Sequence, residues 1–517
     1  MGNSLKLFKL VKSLSKSEKR YFKLACSVHK GSKNYLDLFD LFDKQNSFEK
    51  EVIPGMKKFK RLPHLKKYLY NLILESLQSY HANLSVDMKL GNIMQQAGIL
   101  FEKGLYEDCL DLLQQAKKIA VKHERFLLLI EIIEWKKKIA LRNTDVRALN
   151  EDADKLYREK ILLLGKQKNL AEYSRYHSMV NVLSRTGKTT RNISLQNFAF
   201  MESPLLADTN ETRSFPEKIY RYRIYGSFYT ATGALLKAYN NHRKWVAMME
   251  AHPTQMAEEI NDYIDAVNNL INACSRLKKY DEALENIHKL RTIPGKLPPA
   301  KNTTALKAKI FSRSYNMELA YYLNMADFTE GTKLVDTITS GLQDFETKIN
   351  KKDVLLFYFK ILSLYYYAGD LSKALAWLNK ILNFPEKDVF PDIHSTAQII
   401  NLLLHFDLQN MDLLGYIVKS ASRFLSKRNR LYKLEAAILD FLMKKLPKII
   451  SQEQLTEAFK ELKTEIGIIL EGPSERKALE YFDFVSWLES KTENRPFALI
   501  VKEKAEARES AGNLKGL

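Results

Sequence analysis

A short motif near the middle of the chain has the residue types of a phosphate-binding loop. Gly187-Lys188-Thr189 matches the end of the pattern G-x-x-x-x-G-K-[ST], in which consecutive backbone N–H groups curl around the phosphates of a nucleotide. The first glycine of that pattern falls at Val182, inside a helical stretch and not after a strand. The sequence therefore favours a turn between helices at 187–189 over a nucleotide site.

Other residue types that could carry out chemistry are scattered along the chain. The histidines form no H-E-x-x-H motif, and Cys26, Cys109 and Cys274 lie too far apart for a metal knuckle or a disulfide framework. Neighbouring carboxylates such as Glu131 and Glu134 fall on amphipathic helices, where a solvated face explains them. The sequence thus predicts no catalytic residue, no cofactor and no metal, and we expect a protein that is not an enzyme.

The elements that would position a binding surface are indicated by one spacing that occurs five times. A small residue follows a mostly aromatic or apolar residue by nine positions, and a large residue follows the small one by four. The small residues are 129, 45, 48 and 43 positions apart, and 129 is three times 43. Such a period is typical of stacked helical hairpins, in which a small side chain lets two helices cross closely. The five sets are Leu100, Cys109 and Leu113; Tyr229, Ala238 and His242; Cys274, Ala283 and Ile287; Tyr322, Gly331 and Val335; and Tyr365, Ala374 and Leu378.

One of these hairpins resembles the tetratricopeptide (TPR) repeat. Residues 222–229 read Tyr-x-x-Tyr-Gly-x-x-Tyr, which is similar to the family's Trp-x-x-Leu-Gly-x-x-Tyr, and Ala238 falls where the family places an alanine. His242 and Leu378 replace the family's usual phenylalanine, and the period exceeds the family's 34 residues by roughly 9 to 14. The overall layout, including residues 478–502, also resembles TPR-like proteins of Bacteroidota that have no assigned activity.

Composition and resemblance together predict the fold. Few glycines and prolines and no strand-like alternation favour an all-α protein. The resemblance implies a right-handed α-solenoid of TPR-like hairpins, preceded by an N-terminal helical module. The predicted boundaries are a basic N-terminal module at 1–85, poorly matching hairpins at 86–200, the main solenoid at 217–470, a capping helix at 474–505 and a flexible tail at 506–517.

The net charge of +20 is concentrated in two zones. Residues 1–85 contain 17 Lys and Arg against 7 Asp and Glu, and residues 419–448 contain 9 against 2. Such zones favour an anionic partner, whether nucleic acid, an acidic protein segment or a membrane surface, although solvated lysine-rich helices give the same pattern. Residues 1–85, in which Ser15 and Glu18 have the spacing of a capping box, fit either a helix-turn-helix-like nucleic-acid module or a plain cap on the solenoid. The basic patch predicted there comprises Lys57, Lys58, Lys60, Arg61, Lys66 and Lys67.

The TPR resemblance also implies a groove, because the first helix of each hairpin in that family lines the concave surface. Asparagine is a mediocre helix former, by roughly 0.6 kcal/mol against alanine, so Asn268, Asn269 and Asn272 in one helix act against local stability. Asn and Arg side chains suit the carboxylates and backbone amides of an extended peptide, although a solvated polar face without a ligand is the alternative. The implied groove residues are Tyr220, Arg223, Thr230, Asn268, Asn272, Arg276, Arg313, Asn316, Asn324 and Tyr366.

These features predict a protein-binding scaffold that captures a protein segment, for which an acidic sequence would be suitable. The alternative is a nucleic-acid-associated regulator that uses the basic N-terminal module. We expect no membrane span, because the longest apolar run, Val354–Ala368, is interrupted by Lys360 and is too short. We expect a cytoplasmic location from the cysteine usage and from the start Met1–Lys6, which has no apolar leader. The oligomeric state is not predicted.

Overall fold

The chain is all-α throughout the part that the structure describes. A computed structural model describes residues 2–27, 34–45, 59, 61–142, 146–190, 195–207, 213–298, 301–387 and 390–513. Within these ranges the regular secondary structure is helical and includes no strand, so the predicted all-α class is confirmed. The chain divides into two compact units, Met1–Lys166 and Gln167–Leu517.

The first unit begins with four helices around one apolar core. Ser15 and Glu18 form the predicted capping box: the N–H of Ser15 donates to Glu18 Oε2 (2.6 Å), and the N–H of Glu18 donates to Ser15 Oγ (3.2 Å). Phe22, Phe39 and Ile73, from three of these helices, are fully buried. The helices that start in this unit are α1 (Gly2–Ser13), α2 (Lys16–Ser27), α3 (Asn34–Lys44), α4 (Leu62–Tyr80), α5 (Val86–Glu102), α6 (Tyr106–Lys122), α7 (Phe126–Ala140) and α8 (Val146–Thr190).

The long helix α8 corrects one sequence-based expectation. It spans 45 residues and continues through Thr190, so the turn predicted at 187–189 is wrong. A glycine inside a helix costs about 1 kcal/mol relative to alanine, which is too little to end a helix of this length. The backbone at 187–189 is therefore helical and has the form of neither a phosphate loop nor a turn.

The second unit consists of helices that pack mainly against their neighbours in the chain. In five of its hairpins, a first helix is followed after a short turn by a second helix. The first helices of these hairpins are α9, α12, α14, α17 and α19. The helices are α9 (Phe215–Ala231), α10 (Leu235–Glu250), α11 (Pro253–Glu258), α12 (Ile260–Arg276), α13 (Tyr280–Lys296), α14 (Thr304–Asn324), α15 (Phe328–Lys333), α16 (Val335–Asp344), α17 (Lys351–Tyr367), α18 (Leu371–Leu382), α19 (Pro391–Asp407), α20 (Met411–Lys427), α21 (Lys433–Asp440), α22 (Gln452–Ile469), α23 (Pro473–Arg476), α24 (Phe484–Thr492) and α25 (Phe497–Asn513).

One turn geometry joins the two helices of these five hairpins, and it also joins α5 to α6. In each case the residue two positions after the first helix has a positive φ, and the second helix begins two positions later. The backbone N–H of the residue after the positive-φ residue donates to the carbonyl five positions before itself, at 2.9 to 3.0 Å, as in a Schellman motif. This bond fixes the register of the second helix against the first. The positive-φ residues are Gly104, Gly233, Lys278, Ala326, Gly369 and Gln409.

The turn explains the repeated spacing of nine residues. The carbonyl that accepts the turn bond belongs to the first residue of each set, and the small residue is the fourth residue of the second helix. At Gly331 an added Cβ would lie 2.7 Å from Leu364 Cδ2 and 3.1 Å from Tyr322 Cβ, so the neighbouring helices leave no room for a side chain. The other small residues, Cys109, Ala238, Ala283 and Ala374, are buried at the same position.

His242 packs against a glycine in the hairpin that resembles the TPR repeat most closely. A Cβ at Gly226 would lie 2.3 Å from His242 Cε1, so only glycine fits there. His242 is buried, and its Nδ1 has no hydrogen-bond partner among the described residues. Burial lowers the pKa of His242 from 6.5 to about 4. The imidazole is therefore neutral at pH 7 and acts as a packing ring.

The C-terminal segment differs from the single helix predicted at 474–505. It forms α23, a 3-10 turn at Lys477–Glu480, α24 and α25. Asp483 starts a new helix, since its Oδ1 accepts from the N–H of Ser486 (3.0 Å) as an N-cap. Pro496 lies between α24 and α25, where it disfavours a helical conformation of the preceding residue.

This C-terminal segment covers part of α17 and α19. Phe482 stacks on Tyr367, with ring centroids 5.7 Å apart. Asp407, at the end of α19, accepts hydrogen bonds from Tyr366 Oη (2.8 Å) and from Trp487 Nε1 (3.0 Å). Aromatic residues of the C-terminal segment therefore cover the last turn of α17.

The close helix crossing can be tested in α18. Ala374 is fully buried at the crossing, whereas Ala376 lies two residues away on the exposed face of the same helix. Ala374→Leu should lower the free energy of unfolding by about 1–3 kcal/mol through overpacking. Ala376→Leu, the matched control, should leave it unchanged within about 0.5 kcal/mol. Thermal and urea denaturation of both variants would measure the difference, and equal midpoints would contradict a tight crossing.

The burial of His242 predicts a pH dependence of stability. Because folding lowers its pKa from 6.5 to about 4, the contribution of the neutral ring is complete above pH 6.5 and is lost as the pH falls towards 4. His242→Phe should therefore flatten the stability profile in this window by up to about 1.4 kcal/mol per pH unit. His288→Phe, on the exposed face of α13, is the control and should keep the wild-type slope. Urea unfolding at several pH values would contradict the prediction if both variants gave that slope.

Candidate functional site

The first helices of three consecutive hairpins place polar residues at matching positions. Positions of the same register face the same side when hairpins stack. At these positions α17 has Leu356 and Phe359, so the polar character ends there. The residues eleven and eight positions before the end of the helix are Tyr220 and Arg223 in α9, Asp265 and Asn268 in α12, and Arg313 and Asn316 in α14.

Ion pairs connect each first helix to the next. Arg223 on α9 pairs with Asp262 on α12. Lys309 on α14 approaches Asp265 Oδ1 of α12 at 3.1 Å, and it also donates to the backbone carbonyl of Asn261 (3.1 Å). Arg313 Nη1 lies 3.8 Å from Asp353 Oδ1 of α17. We call the residues along this line the polar row: Arg223, Asp265, Asn268, Lys309, Arg313, Asn316 and Asp353.

Asp353 stands at the α17 end of the polar row. Its Oδ2 accepts from Ser312 Oγ (2.7 Å) and from Asn350 Nδ2 (2.8 Å). Lys360, on the same helix, donates to the backbone carbonyl of Asn316. Burial lowers the pKa of Lys360 to about 8, and the negative charge of Asp353 opposes this shift. The two residues therefore anchor α17 to α14 through polar contacts.

The cations of the polar row are partly desolvated and paired. Burial lowers the pKa of Arg223 and of Lys309, and the carboxylate of Asp265 acts in the opposite direction on both. Each cation is thus held by an aspartate of the neighbouring helix. An acidic ligand would have to compete with these carboxylates for the same donors.

Two asparagines of the polar row have unused hydrogen-bonding capacity. Asn316 is 4% exposed, and neither its Oδ1 nor its Nδ2 has a partner among the described residues. Asn268, at the matching position of α12, is 8% exposed, and its Oδ1 is likewise without a partner there. A buried polar group left unpaired costs about 1–3 kcal/mol. The unpaired atoms are also closed to solvent, so only a rearrangement of the surrounding side chains would expose them to a ligand.

The remaining predicted groove residues occupy different settings. Asn272 and Thr230 are exposed and donate to carbonyls of their own helices at 2.8 and 2.7 Å. Arg276 and Asn324 are the exposed last residues of α12 and α14. Tyr220 is half-buried, and its ring lies 6.0 Å from that of His177.

Tyr366 requires a correction, because it is not open to a ligand. It is buried, its hydroxyl donates to Asp407, and its ring stacks on Phe482 at 5.5 Å. The resemblance to the TPR family implied that it lines the groove. The C-terminal segment, whose path the sequence did not reveal, covers this position.

The predicted basic patch divides between described and undescribed residues. Arg61 and Lys67 are exposed, and Arg61 has a φ of 56° just before α4. Lys66 instead donates to Ser4 Oγ of α1 (2.8 Å), and burial lowers its pKa. Lys66 therefore helps to hold the first helices together. Lys57, Lys58 and Lys60 lie outside the described residues.

The acidic half of the polar row was not found from the sequence. Asp265 and Asp353 in the row, and Asp262 beside it, are the partners of its cations, and Lys309 is a cation that the groove residues implied by the sequence do not include. A signal was present, since Asp265 precedes Asn268 by three residues, as Arg313 precedes Asn316. That spacing places both members of each pair on one helix face.

The described residues contain no group of three or more His, Cys, Asp or Glu side chains that could hold a metal ion. None of their helices is long and apolar enough to cross a membrane. Comparisons of the chain with protein-family models, with curated proteins and with solved structures found no match.

Asn316 offers a direct test of the unpartnered amide. Asn316→Leu should leave the free energy of unfolding unchanged or raise it by up to about 2 kcal/mol, because no hydrogen bond is lost. Asn286→Leu is the control: Asn286 is also buried, but its Nδ2 donates to the carbonyl of Glu282 (2.7 Å). This variant should be destabilised by about 1–3 kcal/mol. Chemical denaturation would contradict the assignment if the two variants lost the same stability.

Proposed function

We propose that the protein is a binding scaffold that holds an extended protein segment along the polar row. The hairpins of the second unit would form a right-handed, TPR-like solenoid whose first helices line the binding groove. The recurring turn and the buried small residue support this architecture, because both set each hairpin in the same way. The role is that of an adaptor and not of an enzyme.

The observation on which this proposal rests is the pair Asn268 and Asn316. Both amides are buried, both occupy the same register in neighbouring first helices, and both have unpaired atoms among the described residues. An asparagine side chain presents one acceptor and two donors, which matches the C=O and N–H of a peptide unit. An extended chain crossing α12 and α14 would satisfy both amides with its own backbone once the side chains that close them off from solvent move aside.

The pairing of the cations determines which ligand we favour. Arg223, Lys309 and Arg313 already face Asp262, Asp265 and Asp353, so the polar row offers little free positive charge. We therefore propose recognition of the peptide backbone in place of the acidic side chains suggested by the sequence. Binding should then weaken only gently with salt, since neutral hydrogen bonds are not screened.

The C-terminal segment sets one end of the proposed groove. Phe482 and Trp487 pack over the first helices α17 and α19. The ring centroid of the neighbouring Tyr481 lies 6.3 Å from that of Phe359. Phe359 occupies the register position that Asn316 has in α14. A partner segment would therefore lie on α9, α12 and α14 and end where the chain covers its own surface.

The proposal can be tested with peptides selected from a random library displayed on phage. The immobilised wild-type protein should select peptides whose binding is lost when a central amide is N-methylated. The double variant Asn268→Ala with Asn316→Ala should weaken binding of a selected peptide at least tenfold, which corresponds to about 1.4 kcal/mol. Fluorescence anisotropy would measure the affinities, and circular dichroism would establish that the variant remains folded.

A matched control separates the groove from surface asparagines in general. Asn240→Ala with Asn379→Ala removes two exposed amides from the second helices α10 and α18 and should keep the wild-type affinity. The proposal fails if no peptide is selected, or if the folded groove variant binds as tightly as wild type.

Nucleic-acid binding by the first unit is the second candidate function. The rings of Tyr21 and Tyr80 lie 5.0 Å apart, both are exposed, and Arg20 is exposed on the same helix as Tyr21. Aromatic rings beside basic residues can stack on unpaired bases. Binding through several phosphates would fall by orders of magnitude between about 50 and 200 mM salt, unlike peptide capture.

A further inference from the structure

The second basic zone of the chain, 419–448, is not used by the proposed function. Five of its nine Lys and Arg residues lie on α20 and in the π-helical turn Phe441–Lys445, which packs against α20. Part of its charge is neutralised within the protein, because Lys444 pairs with Asp440 (3.0 Å) and Lys445 with Glu461 (3.1 Å). Three of the remaining cations, Lys419, Arg423 and Lys427, lie on one face of α20.

Helix α20 has one buried face and one strongly basic exposed face. Its buried face is formed by the apolar residues Leu414, Val418, Ala421 and Leu425. At 100° per residue, the opposite direction is occupied by Tyr416, Lys419, Arg423 and Lys427, all of them exposed. None of the three cations forms an ion pair with a residue that the structure describes. Asp412, at the first turn, is the one carboxylate on this side of the helix.

Large apolar side chains are exposed beside these cations. Tyr416 is 77% exposed and Leu413, one turn away on the same helix, is 51% exposed. Met443, in the adjoining π-helical turn, and Ile450, which is 94% exposed, continue this apolar character along the chain. We call Leu413, Tyr416, Lys419, Arg423 and Lys427 the α20 face.

We propose that the α20 face binds the surface of a membrane that contains anionic lipids. Exposed apolar side chains next to Lys and Arg are the features of a helix that lies in a membrane interface, where the rings and aliphatic groups enter the acyl boundary. The cations then reach the lipid phosphates through their flexible stems. The protein would attach reversibly by one helix face and would not cross the bilayer.

The apolar residues distinguish this ligand from nucleic acid. Phosphates and bases are bound by cations, polar groups and aromatic rings. Leu413 would gain nothing from such contacts, whereas a membrane interface removes it from water. The charge complementarity is the same for the two polyanions, so both vesicles and single-stranded DNA are needed as probes.

Vesicle sedimentation with the full-length chain tests the proposal. Wild type should bind phosphatidylcholine vesicles containing about 30% phosphatidylglycerol, and it should not bind phosphatidylcholine alone. Lys419→Glu, Arg423→Glu and Lys427→Glu together should weaken binding about a hundredfold, because each basic residue near an anionic surface contributes roughly fivefold. Leu413→Ser with Tyr416→Ser should retain binding at low salt and lose it at about 0.5 M salt, where charge attraction is screened.

A control of equal charge separates the α20 face from the overall charge of the protein. Lys89→Glu, Lys103→Glu and Lys118→Glu change three exposed lysines of the first unit and should leave vesicle binding intact. The proposal is overturned if wild type does not bind the anionic vesicles, or if this control loses as much affinity as the α20 variant. It is also overturned if the α20 variant loses binding to a single-stranded DNA probe but not to vesicles.

Discussion

The organisation of the second unit depends on the crossing of the two helices in each hairpin. The turn contains one residue with a positive φ, and the next backbone N–H donates to the carbonyl five residues before it. This hydrogen bond fixes where the second helix starts. The fourth residue of that helix then lies against the first helix, and at Gly331 there is no room for a Cβ. Because the same constraint recurs in hairpin after hairpin, we expect residues of equal register in successive first helices to face the same way.

The polar row follows from this alignment and has a cost in stability. Cations and aspartates from adjacent helices meet in pairs, which compensates for their partial burial. Asn268 and Asn316 have no such compensation among the described residues, although both are buried. Polar groups that act against stability are common where a protein binds something else. At α17 the corresponding surface is covered by the C-terminal segment of the same chain, through Phe482 on Tyr367 and Trp487 on Asp407.

Much of the fold could be predicted from the sequence, and the reason is that the decisive interactions are local. The spacing from Tyr229 to Ala238 contains both the turn acceptor and the crossing residue, so periodicity alone locates them. The turn expected at 187–189 was wrong. The helical preference of one glycine is too small to end α8, a helix of 45 residues. In the candidate site, Asn268 and Asn316 were predicted from the resemblance to the TPR family, whereas Asp353 and the burial of Tyr366 were not. Both of the latter depend on contacts between residues far apart in the chain.

Photo-crosslinking in living cells tests the central claim most directly, namely that a protein segment lies on the first helices. A photoreactive amino acid would replace Asn272, an exposed residue of α12 beside the polar row, and Asn240, an exposed residue of the second helix α10. We predict a discrete protein adduct from position 272 that is absent at position 240 and disappears when Asn268 and Asn316 are also changed to alanine. An adduct formed equally from both positions, or from position 240 alone, would contradict the claim.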